Sequence, residues 1–135
     1  MKIRLSIVSL VAACAALVMS PAFANANQEI TTAIEHAGFA AKSKDIKHVH
    51  LHLHHVMNCL VGPKGGAFDA AAGNPCKGMG NGAINERGQV SRAAYEDLKA
   101  AMTDAASGLQ TNDYKTAKEA AGMAKRVLQD AKEEE

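Results

Sequence analysis

The chain has no tryptophan, and two tyrosines and three phenylalanines leave aromatic side chains at 4% of 135 residues. Broad stacking surfaces of the kind that hold bases or sugars are therefore excluded as its main device of recognition. Net charge is equally scarce. The formal value is +1, and beyond Lys2 and Arg4 the remaining 13 basic residues face 14 acidic ones. A surface so close to neutral excludes nucleic acid as the principal partner. Catalytic signatures are missing too. There is no Gly-x-Ser-x-Gly elbow and no His-Glu-x-x-His, and Gly78-Met79-Gly80-Asn81-Gly82 follows no strand pattern that would make it a phosphate loop. The expectation is a protein that is not an enzyme.

Long apolar runs are absent except for Leu5 to Met19. Its roughly 15 residues fall short of the ~20 that span a bilayer. With Lys2 and Arg4 before it, and Pro21 and the triplets Ala22-Phe23-Ala24 and Ala24-Asn25-Ala26 behind it, it has the layout of a secretory signal. The reading is a signal peptide over 1–26, one domain over 27–135, and export to a bacterial periplasm. Val11-Ala12-Ala13-Cys14 also has the form of a lipoprotein box, although apolar residues continue past Cys14. Two cysteines then remain, Cys59 and Cys76. In an oxidising compartment such a pair is most simply a disulfide, worth roughly 3 kcal/mol by loop closure; two thiolate metal ligands are the alternative.

What is abundant is alanine, set among apolar residues at helical spacing. Ile46, Val49, Leu53, Val56 and Leu60 follow a 3-4-3-4 pattern, repeated by Tyr95, Leu98, Met102, Ala105 and Leu109 and by Tyr114, Ala117, Ala121, Ala124 and Leu128. Ile30, Ile34, Ala37 and Ala41 make a shorter version. Such stripes are the inward seams of a bundle. A shift of 68 residues lays Ser43-Lys44-Asp45-Ile46-Lys47 over Thr111-Asn112-Asp113-Tyr114-Lys115. Ser or Thr there suits a helix cap, and the acid after it suits the positive helix end. The spacing predicts helices over 28–42, 44–61, 91–109 (capped by Ser91) and 112–132. The fold class expected is all-α: an antiparallel four-helix bundle of two hairpins, joined by a long loop over 62–90. That loop holds eight of the eleven glycines and is tethered through Cys76, with a turn of helix over 68–72.

Five of the six histidines stand in 48–55: His48, His50, His52, His54 and His55. As a strand the segment would align His48, His50, His52 and His54 on one face, but His54-His55 breaks that alternation after seven residues. The helical pattern runs for fifteen, so helix is preferred. At 100° per residue, His48, His52, His55 and Cys59 then fall within about 60° of one another, with His50 and His54 on the other flank. Imidazoles at i and i+4 face the same way and can share a metal ion at about 2.0–2.1 Å. These five histidines are the candidate ligands, and Cu, Zn or Ni the candidate ions. Water or an acid such as Glu35, Asp97 or Asp104 would complete the shell, and Met57 and Met79 offer soft sulfur. Proton competition would weaken ordinary imidazole ligation as pH falls through about 6.

The Ala-rich hairpin with clustered histidines over roughly 30–60 resembles the small periplasmic His-rich metal-binding proteins. That resemblance implies binding of several divalent metals, copper included. The helix-turn-helix repeat is also similar to the periplasmic b-type cytochrome bundle, which would imply haem held by a Met early in the first helix and a His in the last. Residues 28–42 contain no Met and 112–132 no His, so that ligation does not carry over. Nor does Cys59 or Cys76 begin a Cys-x-x-Cys-His haem attachment. Metal binding for storage, buffering or delivery is thus the leading expectation. An interaction or stress module with structural histidines and a protein partner, or a haem-binding bundle, stands beside it.

Overall fold

The computed structural model describes residues 21–88 and 91–134, with side chains from residue 25 onward; residues 1–20, and most of the expected signal segment with them, lie outside it. Five helices follow one another: α1 (Pro21–Lys42), α2 (Ile46–Val61), α3 (Ala83–Arg87), α4 (Arg92–Leu109) and α5 (Tyr114–Glu133), with no strand among the described residues. The histidine segment is helical throughout. The four long helices match the periodicity, although α1 starts seven residues before the expected boundary.

Three of the helices, α2, α4 and α5, start on a side-chain cap. Asp45 accepts from the His48 amide and Asp113 from the Thr116 amide, so both hairpin turns end on an aspartate. The caps expected at Ser43 and Thr111 are therefore corrected. Ser43 Oγ donates instead to the Phe39 carbonyl, and Thr111 Oγ1 accepts from the Asp113 amide. The aspartates win because a carboxylate beside free helix N–H groups gains from the helix dipole as well as the hydrogen bond. Ser91 caps α4 as expected, accepting from the Ala94 amide.

Packing is heaviest between α4 and α5, α1 and α2, and α1 and α5, with α2 also against α4. Ile30, Val49, Leu53, Val56, Leu60, Leu98 and Leu128 are wholly buried at the centre, filled in by alanines. The seam of α4 keeps Leu98 and Ala105 as expected and shifts by one residue at its other three positions. Ala94, Ala101 and Gly108 are buried, whereas Tyr95, Met102 and Leu109 are only partly so. Small residues there let the helices approach closely: a Cβ on Gly108 would stand 2.6 Å from Leu53 Cδ1 and 3.2 Å from Ala120 Cβ.

The connection between α2 and α4 is built rather than loose. Cys59 and Cys76 form a disulfide with their Cα atoms 5.3 Å apart. The buried Asn58 side chain donates to the carbonyls of Asp69 (2.7 Å) and Gly73 (2.6 Å) and accepts from the Asp69 amide (2.8 Å). Asn58 takes the Asp69 carbonyl that a helix over 68–72 would pair with the Gly73 amide, and that amide bonds Ala70 instead; the stretch is irregular chain and a turn, and the short helix is α3, further on. Arg87 of α3 is fully buried, its Nη1 donating to Asn27 Oδ1 (3.1 Å) and its Nη2 to the Glu134 carbonyl (2.6 Å), which ties the start of α1 to the end of α5.

At the start of α3 Glu29 is buried, accepting from the Gly82 amide at 3.0 Å through Oε1 while Oε2 has no partner. Burial, opposed by the Gly82 amide and reinforced by the nearby Glu86 charge, raises its pKa from 4.5 to about 7. A carboxyl held above its unfolded value contributes stability that is complete below about pH 4.5 and is lost as pH rises through about 7. The uncharged Glu29→Gln protein keeps the acceptor for Gly82 and is expected to melt higher than wild type at pH 8, with the difference gone at pH 4.5. Equal melting temperatures at pH 8 would show that the buried charge costs nothing.

Candidate metal centre

Two helices meet with three imidazoles between them. α1 supplies His36, and α2 supplies His52 and His55, one turn apart. The turn at 43–45 reverses the chain, and His36 and His52 lie eight residues to either side of Lys44, so they arrive at the same height on adjacent helices. His36 Nδ1 stands 3.1 Å from His52 Nδ1 and 3.2 Å from His55 Nδ1. One nitrogen from each of the three rings lies within 4.8 Å of the other two. The rings pack edge to face and tilted, with centroids 4.6–5.7 Å apart, and Phe39, half exposed on the next turn of α1, lies against His36 and His52.

The ring of His55 is oriented from behind. Its Nε2 donates to the Ala72 carbonyl at 2.7 Å. A carbonyl only accepts, so the proton of the neutral ring is on Nε2 and a lone pair on Nδ1 faces His36. Ligating histidines characteristically have such an outer acceptor, which fixes the tautomer and raises the basicity of the ligand nitrogen.

Charge follows from the same crowding. Burial first, and then the neighbouring His55 and His52 rings, lower the pKa of His36 from 6.5 to about 4. Burial, then His55 and His48, also lower that of His52. His36 is thus uncharged well into the acid range, so protons compete for its lone pair less than an ordinary imidazole would allow. The sign for the metal-free protein is opposite to that of Glu29. A depressed base takes up its proton in the unfolded chain first, so stability is complete above about pH 6.5 and is lost as pH falls toward 4. In the Glu29→Gln background, where the larger of the opposing titrations is gone and the raised Asp104 carboxyl remains, the metal-free melting temperature is expected to fall from pH 6.5 to 4. A flat profile would show His36 to be freely protonated.

Of the five histidines marked by the sequence, the structure brings His52 and His55 together, with His36 as their companion. The other three are engaged elsewhere. His48 Nδ1 pairs with Asp45 Oδ2 at 2.6 Å on a ring that is 61% exposed. His50 Nε2 donates to the Thr111 carbonyl at 2.9 Å, across to the α4–α5 turn. His54 Nδ1 faces Asp69 Oδ2 at 3.2 Å. Among the described residues the three-group cluster takes in the i,i+3 pair His52/His55 and neither of the i,i+4 pairs, His48/His52 and His50/His54. His36 was missed because it stands outside the dense segment; its equal distance from the turn was the available signal. The third group of the cluster is this imidazole rather than Glu35, Asp97 or Asp104.

No known protein family, curated protein or solved structure matches the chain.

Proposed function

We propose that the protein is a non-catalytic binder of one divalent transition-metal ion, held by His36, His52 and His55 through Nδ1, and that it serves in buffering or delivery. The convergence of the three Nδ1 atoms carries the proposal. With ligands at about 2.0–2.1 Å, a tetrahedral angle sets nitrogens about 3.3 Å apart and a right angle about 2.9 Å. The distances of 3.1 and 3.2 Å lie between the two, which suits tetrahedral Zn(II) as well as tetragonal Cu(II) or Ni(II). Three protein ligands leave a further position for water or an incoming ligand, which favours exchange over permanent structural binding.

The rest of the reading is an antiparallel four-helix bundle, exported to the periplasm. Two contacts support paired hairpins: Tyr114 donates from its hydroxyl to the Ser43 carbonyl (2.6 Å), and His50 bonds the Thr111 carbonyl, so the two turns sit side by side. The signal-like N-terminus and the disulfide support export. Ala26 is fully buried and Asn27 receives the Arg87 bond, so processing after Ala24 is the cut that keeps both. Intact-mass measurement of exported protein is expected to give a chain starting at Asn25.

Calorimetric titration of untagged protein at pH 7.5 with Zn(II) and Cu(II) tests the function. One equivalent bound with Kd tighter than about 100 µM is expected. Binding no tighter than that for either ion would end the proposal.

A further inference from the structure

We infer that the Cys59–Cys76 disulfide sets the metal affinity of the imidazole triad, so that its reduction by a dithiol releases the ion. This rests on the metal-binding reading above and concerns the regulation of the same site. The acceptor that orients His55 is not part of a helix. It is the carbonyl of Ala72, in the turn segment that crosses the end of α2. Two clasps hold that segment. One is the Asn58 carboxamide, with its three bonds to Asp69 and Gly73. The other is the disulfide, whose Cys59 lies one turn beyond His55 on α2 and whose Cys76 follows Ala72 by four residues. His55, Asn58 and Cys59 are thus spaced i, i+3 and i+4 on the last turns of α2, and all three grip the same stretch of chain.

The chemistry of the switch is thiol–disulfide exchange. The disulfide is buried, so exchange takes place when the segment between Ala72 and Cys76 opens: an attacking thiolate of the dithiol then breaks the Sγ–Sγ bond, its second thiol resolves the mixed disulfide, and Cys59 and Cys76 leave as two thiols while the dithiol closes to its own disulfide. The segment is then held by hydrogen bonds alone. With the Ala72 carbonyl no longer fixed, the His55 proton distributes between Nε2 and Nδ1, and the Nδ1-protonated fraction has no lone pair on the nitrogen that faces the site. Loss of an outer partner of this kind characteristically lowers metal affinity about 10–100-fold.

The test compares wild type with Cys59→Ala/Cys76→Ala and with Asn58→Ala, which keeps the disulfide and loosens the other clasp. Zn(II) is the probe because it has no redox chemistry of its own. Zn(II) titration at pH 7.5 is expected to show affinity lowered about 10–100-fold in the cysteine variant and in the same direction in Asn58→Ala. Histidine ring nitrogen NMR on the metal-free proteins is expected to show His55 as the Nε2–H tautomer in wild type and as a mixture in both variants. Helical circular dichroism establishes that each variant is folded, and Asn58→Ala carries the test if the cysteine variant is not. Unchanged or tighter Zn(II) binding in a folded variant, or a His55 that stays wholly Nε2–H, would overturn the inference. The tautomer is read without metal, so failure of wild type to bind Zn(II) counts against the metal-binding reading and leaves this readout standing.

Discussion

His36→Ala is expected to weaken Zn(II) and Cu(II) binding by at least ~100-fold, since even an outer partner of a metal ligand is worth about 10–100-fold. His36 is the central member of the triad: its Nδ1 is the atom within 3.2 Å of both other nitrogens, and without it His52 and His55 are two ligands on one helix with no opposing donor. By contrast, His48→Ala and His54→Ala are expected to leave affinity within about threefold of wild type, because their ring nitrogens are engaged with Asp45 and Asp69. The contrast is informative because density of histidine in the chain ranks these residues the other way. Calorimetric titration of the three variants at pH 7.5 decides it. Wild-type affinity in His36→Ala would remove α1 from the site, and a large loss in His48→Ala would restore the i,i+4 chelate with His52.

The second large effect is expected at a place where two stretches of backbone touch. Gly82 has φ +102, and a Cβ built on it would lie 2.4 Å from the Val61 carbonyl carbon and 2.5 Å from the Gly62 nitrogen. Gly62, with φ +69, faces the same problem from the other side, its Cβ meeting the Asn81 carbonyl oxygen at 2.1 Å. Every one of these neighbours is main chain and cannot turn aside. Positive φ costs a non-glycine residue about 1–3 kcal/mol and overpacking about as much again, so Gly82→Ala is expected to destabilise the protein by ~2–5 kcal/mol. It also threatens the Gly82 amide bond to buried Glu29. Gly66→Ala is the control: its Cβ would meet nothing within 4 Å, and its expected effect is within about 0.5 kcal/mol. Urea midpoints for the two variants measure the difference. A Gly82→Ala protein as stable as wild type would mean that the crossing of residues 61–62 and 81–82 relaxes freely.

Much of the helical framework was legible because helix formation is written in local spacing. The stripes at 46–60 and 114–128 are buried from Val49 and Ala117 onward, with Ile46 partly covered and Tyr114 exposed at their starts, and α4 and α5 begin and end within two residues of their expected bounds. Where the reading slipped, a neighbour was responsible. The α4 seam kept Leu98 and Ala105 but shifted by one residue elsewhere, because Gly108 and Ala101 allow closer packing than Leu109 and Met102. The turn of helix at 68–72 was displaced by Asn58, whose side chain takes up that backbone. For the site, clustering identified His52 and His55 but drew in His48, His50 and His54, whose partners Asp45, Thr111 and Asp69 are a matter of local capping and of distant contacts alike.

The amino-acid order alone determined that this chain is helical, that its histidines ride largely on one helix, and that two cysteines stand within reach of that helix's end. These are properties of period and composition, and they survive whatever the helices do next. Which imidazoles share a point in space was decided by the α1–α2 turn, which sets His36 level with His52. Which ring nitrogen faces inward was decided by a carbonyl from a stretch of chain seventeen residues away from His55. Neither relation is local, because a lone pair is aimed by whatever packs behind the ring, and only the folded chain supplies that backing.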